Sequence, residues 1–177
     1  MTHSSDPPRP PEPPLPGSPN RLEALLRKIP GFRGYLEREH RRKADQLQRQ
    51  YLADQLQRFK GVLDRAALKL TEAGRIDCLP VLERCRSRLD RLIGSIRGAV
   101  HGYSGFFDLI QVDQQMLDRV YEHDYQMIEQ VEAIGRAVEQ LAKGEQTSDQ
   151  AELGLTTAID QAQRYWDARR EILEGLK

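Results

Sequence analysis

Apolar side chains recur at alternating steps of three and four residues along four separate stretches of the chain. This spacing places them on one face of an α-helix and, when it is sustained, forms the heptad seam along which long helices pack. The seams contain, in chain order, Leu52, Leu56, Phe59, Leu63, Ala66 and Leu70; Leu82, Cys85, Leu89, Leu92 and Ile96; Leu117, Val120, Asp124, Met127, Val131, Ile134, Val138 and Leu141; and Leu155, Ile159, Ala162, Trp166, Arg169, Leu173 and Leu176. The pattern predicts four long helices.

Residues that cap or break helices separate these stretches. A short helix is predicted from Asn20 to Ile29, where Pro30-Gly31 ends it. The first long helix begins near Leu36, has about 35 to 38 residues and ends at Gly74. Further boundaries are predicted at Asp77 with Pro80 in the first helical turn, at Gly98 or Gly102, at Asp113, at Lys143-Gly144, and at Thr147, which forms a capping box with Gln150.

Long helices joined by short turns favour an all-α fold, namely an antiparallel four-long-helix bundle that runs up-down-up-down, preceded by the short helix. An elongated pair of hairpins and a dimer that completes the core are the alternatives. The helical domain spans residues 21–177. Residues 1–20 hold eight of the ten prolines and few apolar side chains, so they predict a disordered tail, whose PxxP spacings are also typical of ligands for aromatic grooves.

One position in each of the last two seams carries a charge. Asp124 and Arg169 lie at similar distances from the turn between their helices, so they should be neighbours on adjacent antiparallel helices. We predict a charge-assisted pair between them that sets the register of this hairpin. Such a pair specifies an arrangement more than it stabilises a fold, and a catalytic or ligand-binding role is the alternative.

Two stretches rich in aromatic residues and glycine lie at the ends of the first long hairpin, Lys28-Ile29-Pro30-Gly31-Phe32-Arg33-Gly34-Tyr35 and Gly102-Tyr103-Ser104-Gly105-Phe106-Phe107. They resemble signatures of an uncharacterised bacterial helical family, and the resemblance implies no particular activity. In an antiparallel bundle the two stretches should meet at one end. They either cap the core or form an exposed docking patch, and the candidate partner surface consists of Phe32, Tyr35, Tyr103, Phe106 and Phe107.

The formal net charge is zero, but the charges are divided between the halves of the chain. Residues 21–100 carry 19 basic and 10 acidic side chains, whereas residues 101–177 carry 7 and 15. The two halves should therefore attract each other. The densest basic group could instead face anionic lipid, nucleic acid or an acidic protein, and the candidate anion-facing residues are Arg38, Arg41, Arg42, Lys43 and Arg49. Nucleic acid is less favoured, because only Tyr35 and Tyr51 are near for base stacking.

The residues that usually carry catalysis do not form a recognisable set. Glu37 and His40 form the only Glu-x-x-His motif, whereas a dimetal bundle needs a second one on another helix. His101, Ser104 and Asp108 lie within one glycine-rich turn, which does not hold a nucleophile, a base and an orienting group on rigid elements. No phosphate-binding loop is present. We therefore expect no enzyme.

The cysteines and the apolar runs bear on the cellular compartment. Cys78 and Cys85 lie about two turns apart on one helix, too far to bridge, and no second pair exists for zinc. Reduced thiols, with no metal and no cofactor, are expected. The chain has no leader-like start and no run of 18 apolar residues, so we expect a cytoplasmic protein without a transmembrane segment.

These features together predict a non-enzymatic helical scaffold or adaptor that mediates protein–protein interaction, with a protein partner of unknown identity. Homodimerisation through unused seam surface is left open. The alternative is a peripheral envelope-associated protein that binds anionic lipid through the basic face of the first long helix. A metal-binding four-helix bundle is a third alternative.

Overall fold

The computed structural model describes residues 21–99, 104–109, 111–112, 114–143 and 148–174, and within these ranges every regular element is helical. Six helices follow one another along the chain: α1 (Arg21–Lys28), α2 (Arg38–Glu72), α3 (Leu79–Gly98), α4 (Ser104–Asp108), α5 (Gln114–Lys143) and α6 (Ser148–Glu174). A short 3-10 turn, Ile76–Cys78, precedes α3.

Helix α2 ends at the glycine that the sequence indicates. Gly74 has a φ of 72°, its N–H donates to the carbonyl of Thr71 at 3.0 Å, and the N–H of Arg75 donates to the carbonyl of Leu70 at 2.9 Å. This pair of bonds is the Schellman arrangement, which satisfies the last carbonyls of a helix. The predicted boundary residues that lie outside the described ranges are Asn20, Gly102, Asp113, Gly144 and Thr147.

The predicted seams form the core. Seam residues that are no more than 2% exposed include Leu52, Leu56, Leu63, Cys85, Leu89, Leu92, Ile96, Leu117, Val120, Met127, Val131, Ile134, Val138, Leu155, Ile159, Ala162 and Leu173. Burying one large apolar side chain of this kind contributes about 1.5–3 kcal/mol to folding. The helices are therefore held mainly by their seams.

Helices α2 and α3 form an antiparallel hairpin. Lys60 pairs with Asp90 at 2.6 Å, and Asp54 pairs with Arg97 at 3.7 Å. Residue numbers along α3 therefore decrease as those along α2 increase, so the two helices run in opposite directions. Helix α6 begins shortly after α5 ends and packs extensively along it, which makes α5 and α6 a second hairpin.

The two hairpins pack with α5 beside α2 and α6 beside α3. Neighbours across this boundary run in the same direction, because Arg84 and Arg88 of α3 pair with Glu152 and Asp160 of α6 in the same order. The four long helices therefore alternate in direction along the chain, but the structure does not confirm the predicted bundle in which all neighbours are antiparallel. The reason lies in the connection from α3 to α5, where α4 contacts both α2 and α6 and so crosses one end of the helices.

The aromatic side chains at this end lie inside the protein. Phe32, Tyr35, Phe106 and Phe107 are 4%, 0%, 0% and 5% exposed. The Tyr35 ring makes edge-to-face contacts with Phe32 and Phe106 at centroid distances of 5.4 and 5.8 Å. The prediction that these residues form a partner surface is wrong for these four, because their rings pack on one another and close the core. Tyr103 lies outside the described residues.

Candidate functional site

A group of polar side chains lies buried around Arg169 of α6. Its Nε donates to Asp124 Oδ1 at 2.8 Å, and its Nη2 lies 3.4 Å from Asp124 Oδ2. The two charged seam residues thus form a bidentate contact. Arg169 is 1% exposed and Asp124 is 0% exposed. The two residues thus meet inside the core, where both hydrogen bonds are charge-assisted.

Asp45 of α2 binds the other edge of the same guanidinium group. Arg169 Nη1 donates to Asp45 Oδ1 at 2.7 Å, and Arg49 Nε donates to Asp45 Oδ2 at 2.8 Å. Two carboxylates are therefore balanced by two guanidinium groups. We call the group formed by Tyr35, Asp45, Gln48, Arg49, Asp124 and Arg169 the polar core network.

Tyr35 ties the segment after α1 into this network. Its hydroxyl donates to Asp124 Oδ2 at 2.6 Å and accepts from Arg169 Nη2 at 3.3 Å, and Gln48 Oε1 lies 3.3 Å from the same hydroxyl oxygen. Its backbone N–H donates to the hydroxyl of Tyr121 at 2.8 Å. One tyrosine consequently links the α1–α2 segment to α2, α5 and α6.

The surroundings keep both members of the central pair ionised. Burial alone would raise the pKa of Asp124, but the charge of Arg169 and hydrogen bonds from Arg169 and Tyr35 outweigh it and hold that pKa well below its usual range. Burial would lower the pKa of Arg169, yet the charges of Asp124 and Asp45 raise it well above its ordinary value. Burial, followed by the charge of Asp124, also raises the pKa of the Tyr35 hydroxyl, which therefore stays protonated.

His123 borders the network on α5. Its Nε2 lies 3.0 Å from the carbonyl oxygen of Tyr165 and its ring stacks on the Tyr165 ring at a centroid distance of 5.0 Å. Since a carbonyl only accepts, Nε2 carries a proton. Nδ1 is buried, has no hydrogen-bond partner among the described residues, and lies 3.9 Å from Asp124 Oδ1.

The sequence contained a signal for the α2 members of this site. Steps of four and three residues back from Leu52 reach Gln48, Asp45 and Arg41, so these residues continue the apolar seam toward the start of α2. All three are buried. Sequence reasoning stopped the seam at Leu52 because the earlier positions are polar.

Arg41 is not an anion-facing residue, contrary to the prediction. It is 1% exposed, and its guanidinium donates to four carbonyl oxygens: those of Tyr35 at 2.7 Å, Leu36 at 3.2 Å, Phe106 at 3.3 Å and Leu109 at 2.8 Å. Burial, followed by the charge of Arg38, lowers its pKa. Arg41 therefore fastens the α1–α2 segment and the α4 region to the start of α2.

The rest of the predicted anion-facing set does not form a continuous basic surface either. The Arg49 side chain is 11% exposed and bonds Asp45, while Arg42 pairs with Asp108 at 2.7 Å. The exposed charges at this end largely cancel, since Arg38, Arg42 and Lys43 stand among Glu37, Glu39 and Asp108. Only Arg38 and Lys43 of the predicted set lie exposed without an ion-pair partner among the described residues.

The basic half and the acidic half of the chain form ion pairs with each other in the folded protein. Ion pairs in which a cation of the basic half binds an anion of the acidic half are Arg21–Glu122, Lys28–Glu132, Arg42–Asp108, Arg84–Glu152 and Arg88–Asp160. Most of them lie at the surface, where a single pair contributes about 0–1 kcal/mol. Their main effect is to favour this pairing of the helices over others.

The polar core network is closed to substrates. Tyr35, Asp45, Gln48, Asp124 and Arg169 are each no more than 4% exposed. A catalytic acid, base or nucleophile must contact the reacting group, and these side chains contact one another instead. The network therefore positions helices rather than reacting groups.

Two of the concave features on the surface of the described residues are large enough to hold a ligand. The first lies between the end of α2 and the start of α3, has a volume of about 620 Å³, and is lined mainly by Leu63, Ala67, Leu68, Ile76, Leu79 and Leu82; we call it the hairpin-end groove. The second has a volume of about 380 Å³ and is lined by Gly31, Arg33, His40, Lys43, Ala44 and Leu47; we call it the basic pocket.

In the part of the chain that the structure describes, no helix is long and apolar enough to cross a membrane. The same residues contain no group of three His, Cys, Asp or Glu side chains placed to hold a metal ion. His40 Nδ1 lies 2.6 Å from Glu37 Oε2, so the two residues of the Glu-x-x-His motif bind each other.

No protein-family model, curated protein or solved structure matches this chain.

Proposed function

We propose that this protein is a non-catalytic helical adaptor that binds a partner protein at the hairpin-end groove. The observation that carries the proposal is the exposure of large apolar side chains in that groove: Leu68 is 59% exposed and Ile76 is 66% exposed. Large apolar groups left in water beside a groove are typical of a surface that a partner covers.

The groove lies between two helices, a setting in which an amphipathic helix can dock. Its walls come from two antiparallel helices, α2 and α3, and Ile76 of the 3-10 turn also lines it. A helix that docks between two helices inserts apolar side chains at steps of three and four residues. The apolar lining provides the matching surface.

The charges at the rim of the groove favour an apolar contact over an electrostatic one. Arg86 lies 3.3 Å from Asp64 and 3.8 Å from Glu83, so the rim cation is already paired within the protein. A strongly charged partner would have to compete with these contacts. The partner we expect is therefore an amphipathic helix whose apolar face enters the groove.

Affinity capture with matched surface variants tests this proposal. The double variant Leu68→Asp/Ile76→Asp places charges in the groove. The control Leu36→Asp changes a leucine that is 66% exposed, as Ile76 is, but that lies near the start of α2, away from the groove. Proteins captured by the intact chain and by Leu36→Asp, but lost with the double variant, are the expected result. Equal recovery by all three proteins, with unchanged melting temperatures, contradicts the proposal.

A second candidate, a peripheral protein that binds anionic lipid, is supported by the exposed Leu36 side chain, which lies between Arg33 and Arg38 in the sequence. The adaptor proposal expects the intact chain to stay in the supernatant when vesicles that contain phosphatidylglycerol are sedimented at low salt. Co-sedimentation that Leu36→Asp and high salt abolish, and that the groove variant retains, favours the lipid-binding candidate instead.

A further inference from the structure

The basic pocket lies between the segment after α1 and the first turns of α2, apart from both the polar core network and the hairpin-end groove. Its lining contains three side chains that are cationic or can become so, Arg33, His40 and Lys43, and no carboxylate. Its volume of about 380 Å³ is within the range of pockets that enclose small ligands.

The cations at this pocket are available to a ligand. Neither Arg33 nor Lys43 has an ion-pair partner among the described residues, whereas the neighbouring Arg42 is occupied by Asp108. His40 uses Nδ1 to bind Glu37, which leaves its Nε2 free of that contact. Two cationic side chains, Arg33 and Lys43, therefore border the opening without an ion-pair partner among the described residues.

The floor of the pocket is apolar. Ala44 is 2% exposed and Leu47 packs against the hydrophobic core. Gly31 has a φ of 77°, and a Cβ at this position would lie 3.7 Å from Leu47 Cδ1. The missing side chain thus keeps space open beside Leu47.

We propose that the basic pocket binds a small organic carboxylate that has an apolar body. The carboxylate lies between Arg33 and Lys43, because the planar guanidinium group matches a carboxylate in two parallel hydrogen bonds. The apolar body lies on Ala44 and Leu47. Neither an inorganic anion nor a neutral alcohol satisfies both parts of the pocket.

A titration of the full-length ¹⁵N-labelled protein with octanoate, followed by NMR, tests this assignment. We expect saturable shifts at the amides of residues 31–47. Octanol, which lacks the charge, should bind at least about tenfold more weakly, since loss of a charge-assisted hydrogen bond costs about that factor. Inorganic phosphate should also bind at least about tenfold more weakly, because it has no apolar body to bury against Ala44 and Leu47.

Two variants of the protein test where octanoate binds. Arg33→Ala/Lys43→Ala should weaken octanoate binding by about tenfold or more, while Arg58→Ala, which removes an exposed arginine further along α2, should leave it unchanged. No saturable shift, equal binding of octanol, or shifts centred on the hairpin-end groove would each overturn the assignment. These outcomes do not bear on the adaptor proposal, which depends on Leu68 and Ile76.

Discussion

Arg169 of α6 reaches Asp45 of α2 across the interior, with 2.7 Å between Nη1 and Oδ1. These two helices are not extensive neighbours in the structure, so a single guanidinium joins the two hairpins from the inside. The same group binds Asp124 on its other edge, which places one cation between two buried carboxylates. The link adds a buried charged contact to the apolar seams that pack the two hairpins together.

Replacement of Arg169 by leucine should lower the free energy of unfolding by about 3–5 kcal/mol, because it leaves the buried Asp124 without a cation and leaves Asp45 with Arg49 alone. Urea denaturation at pH 7 measures the change. Arg164→Leu is the matched control, since Arg164 lies exposed one to two turns earlier on α6, and it should stay within about 0.5 kcal/mol of the parent. Unchanged stability and oligomeric state in Arg169→Leu would show that the network does not hold the hairpins together.

Removal of the Tyr35 hydroxyl should also destabilise the protein. Tyr35→Phe keeps the ring that packs on Phe32 and Phe106 but loses the bond to Asp124, at a cost of about 1.5–3 kcal/mol for a hydrogen bond to a charged group. Tyr51→Phe, at a half-buried tyrosine of α2, is the control and should change the unfolding free energy by less than about 0.5 kcal/mol. Equal effects of the two substitutions would count against the role assigned to the hydroxyl.

Stability should fall in acid because of Asp124. Its pKa in the folded protein is depressed below its ordinary value of 3.8, so its stabilising contribution is complete above about pH 5 and is lost as the pH falls from there through the folded pKa. Urea denaturation between pH 6 and pH 2.5 measures this loss. Asp124→Asn should be less stable at pH 7 but should lose less stability in acid than the parent. Asp118→Asn, at an exposed position of α5, should keep the parental pH dependence, and an unchanged profile in Asp124→Asn would refute the assignment.

Two glycines in helices should respond oppositely to alanine. A Cβ at Gly135 would lie 2.5 Å from Phe59 Cζ, so Gly135→Ala forces the ring to move and should cost about 1–3 kcal/mol. Gly94 has no atom within 4 Å of such a Cβ, so Gly94→Ala should stabilise α3 by about 0.5–1 kcal/mol. Thermal unfolding compares the variants. Phe59→Leu should rescue part of the Gly135→Ala loss, and absence of any loss in Gly135→Ala would show that the ring relaxes freely.

The sequence by itself determined the helices and most of their buried faces. Leu52, Leu89, Val131 and Ile159 belong to seams whose period is a local property of an α-helix, and Gly74 ends α2 because glycine readily adopts the left-handed backbone that the cap needs. The meeting of Asp124 and Arg169 followed from counting along two helices that share a turn. Local geometry is sufficient for such predictions.

Only the tertiary structure decided which charged residues lie inside. The sequence predicts surface positions for Arg41 and Asp45, because a charge is costly to bury. The groups that offset this cost come from distant parts of the chain. They are the carbonyls of Phe106 and Leu109 for Arg41, and the guanidinium group of Arg169 for Asp45. The same holds for the aromatic residues, since Tyr35 and Phe106 are buried only because the segments after α1 and α3 fold onto one another. The packing of α5 beside α2 was likewise decided by the connection through α4 and by contacts between the hairpins, because an apolar seam does not specify its neighbour.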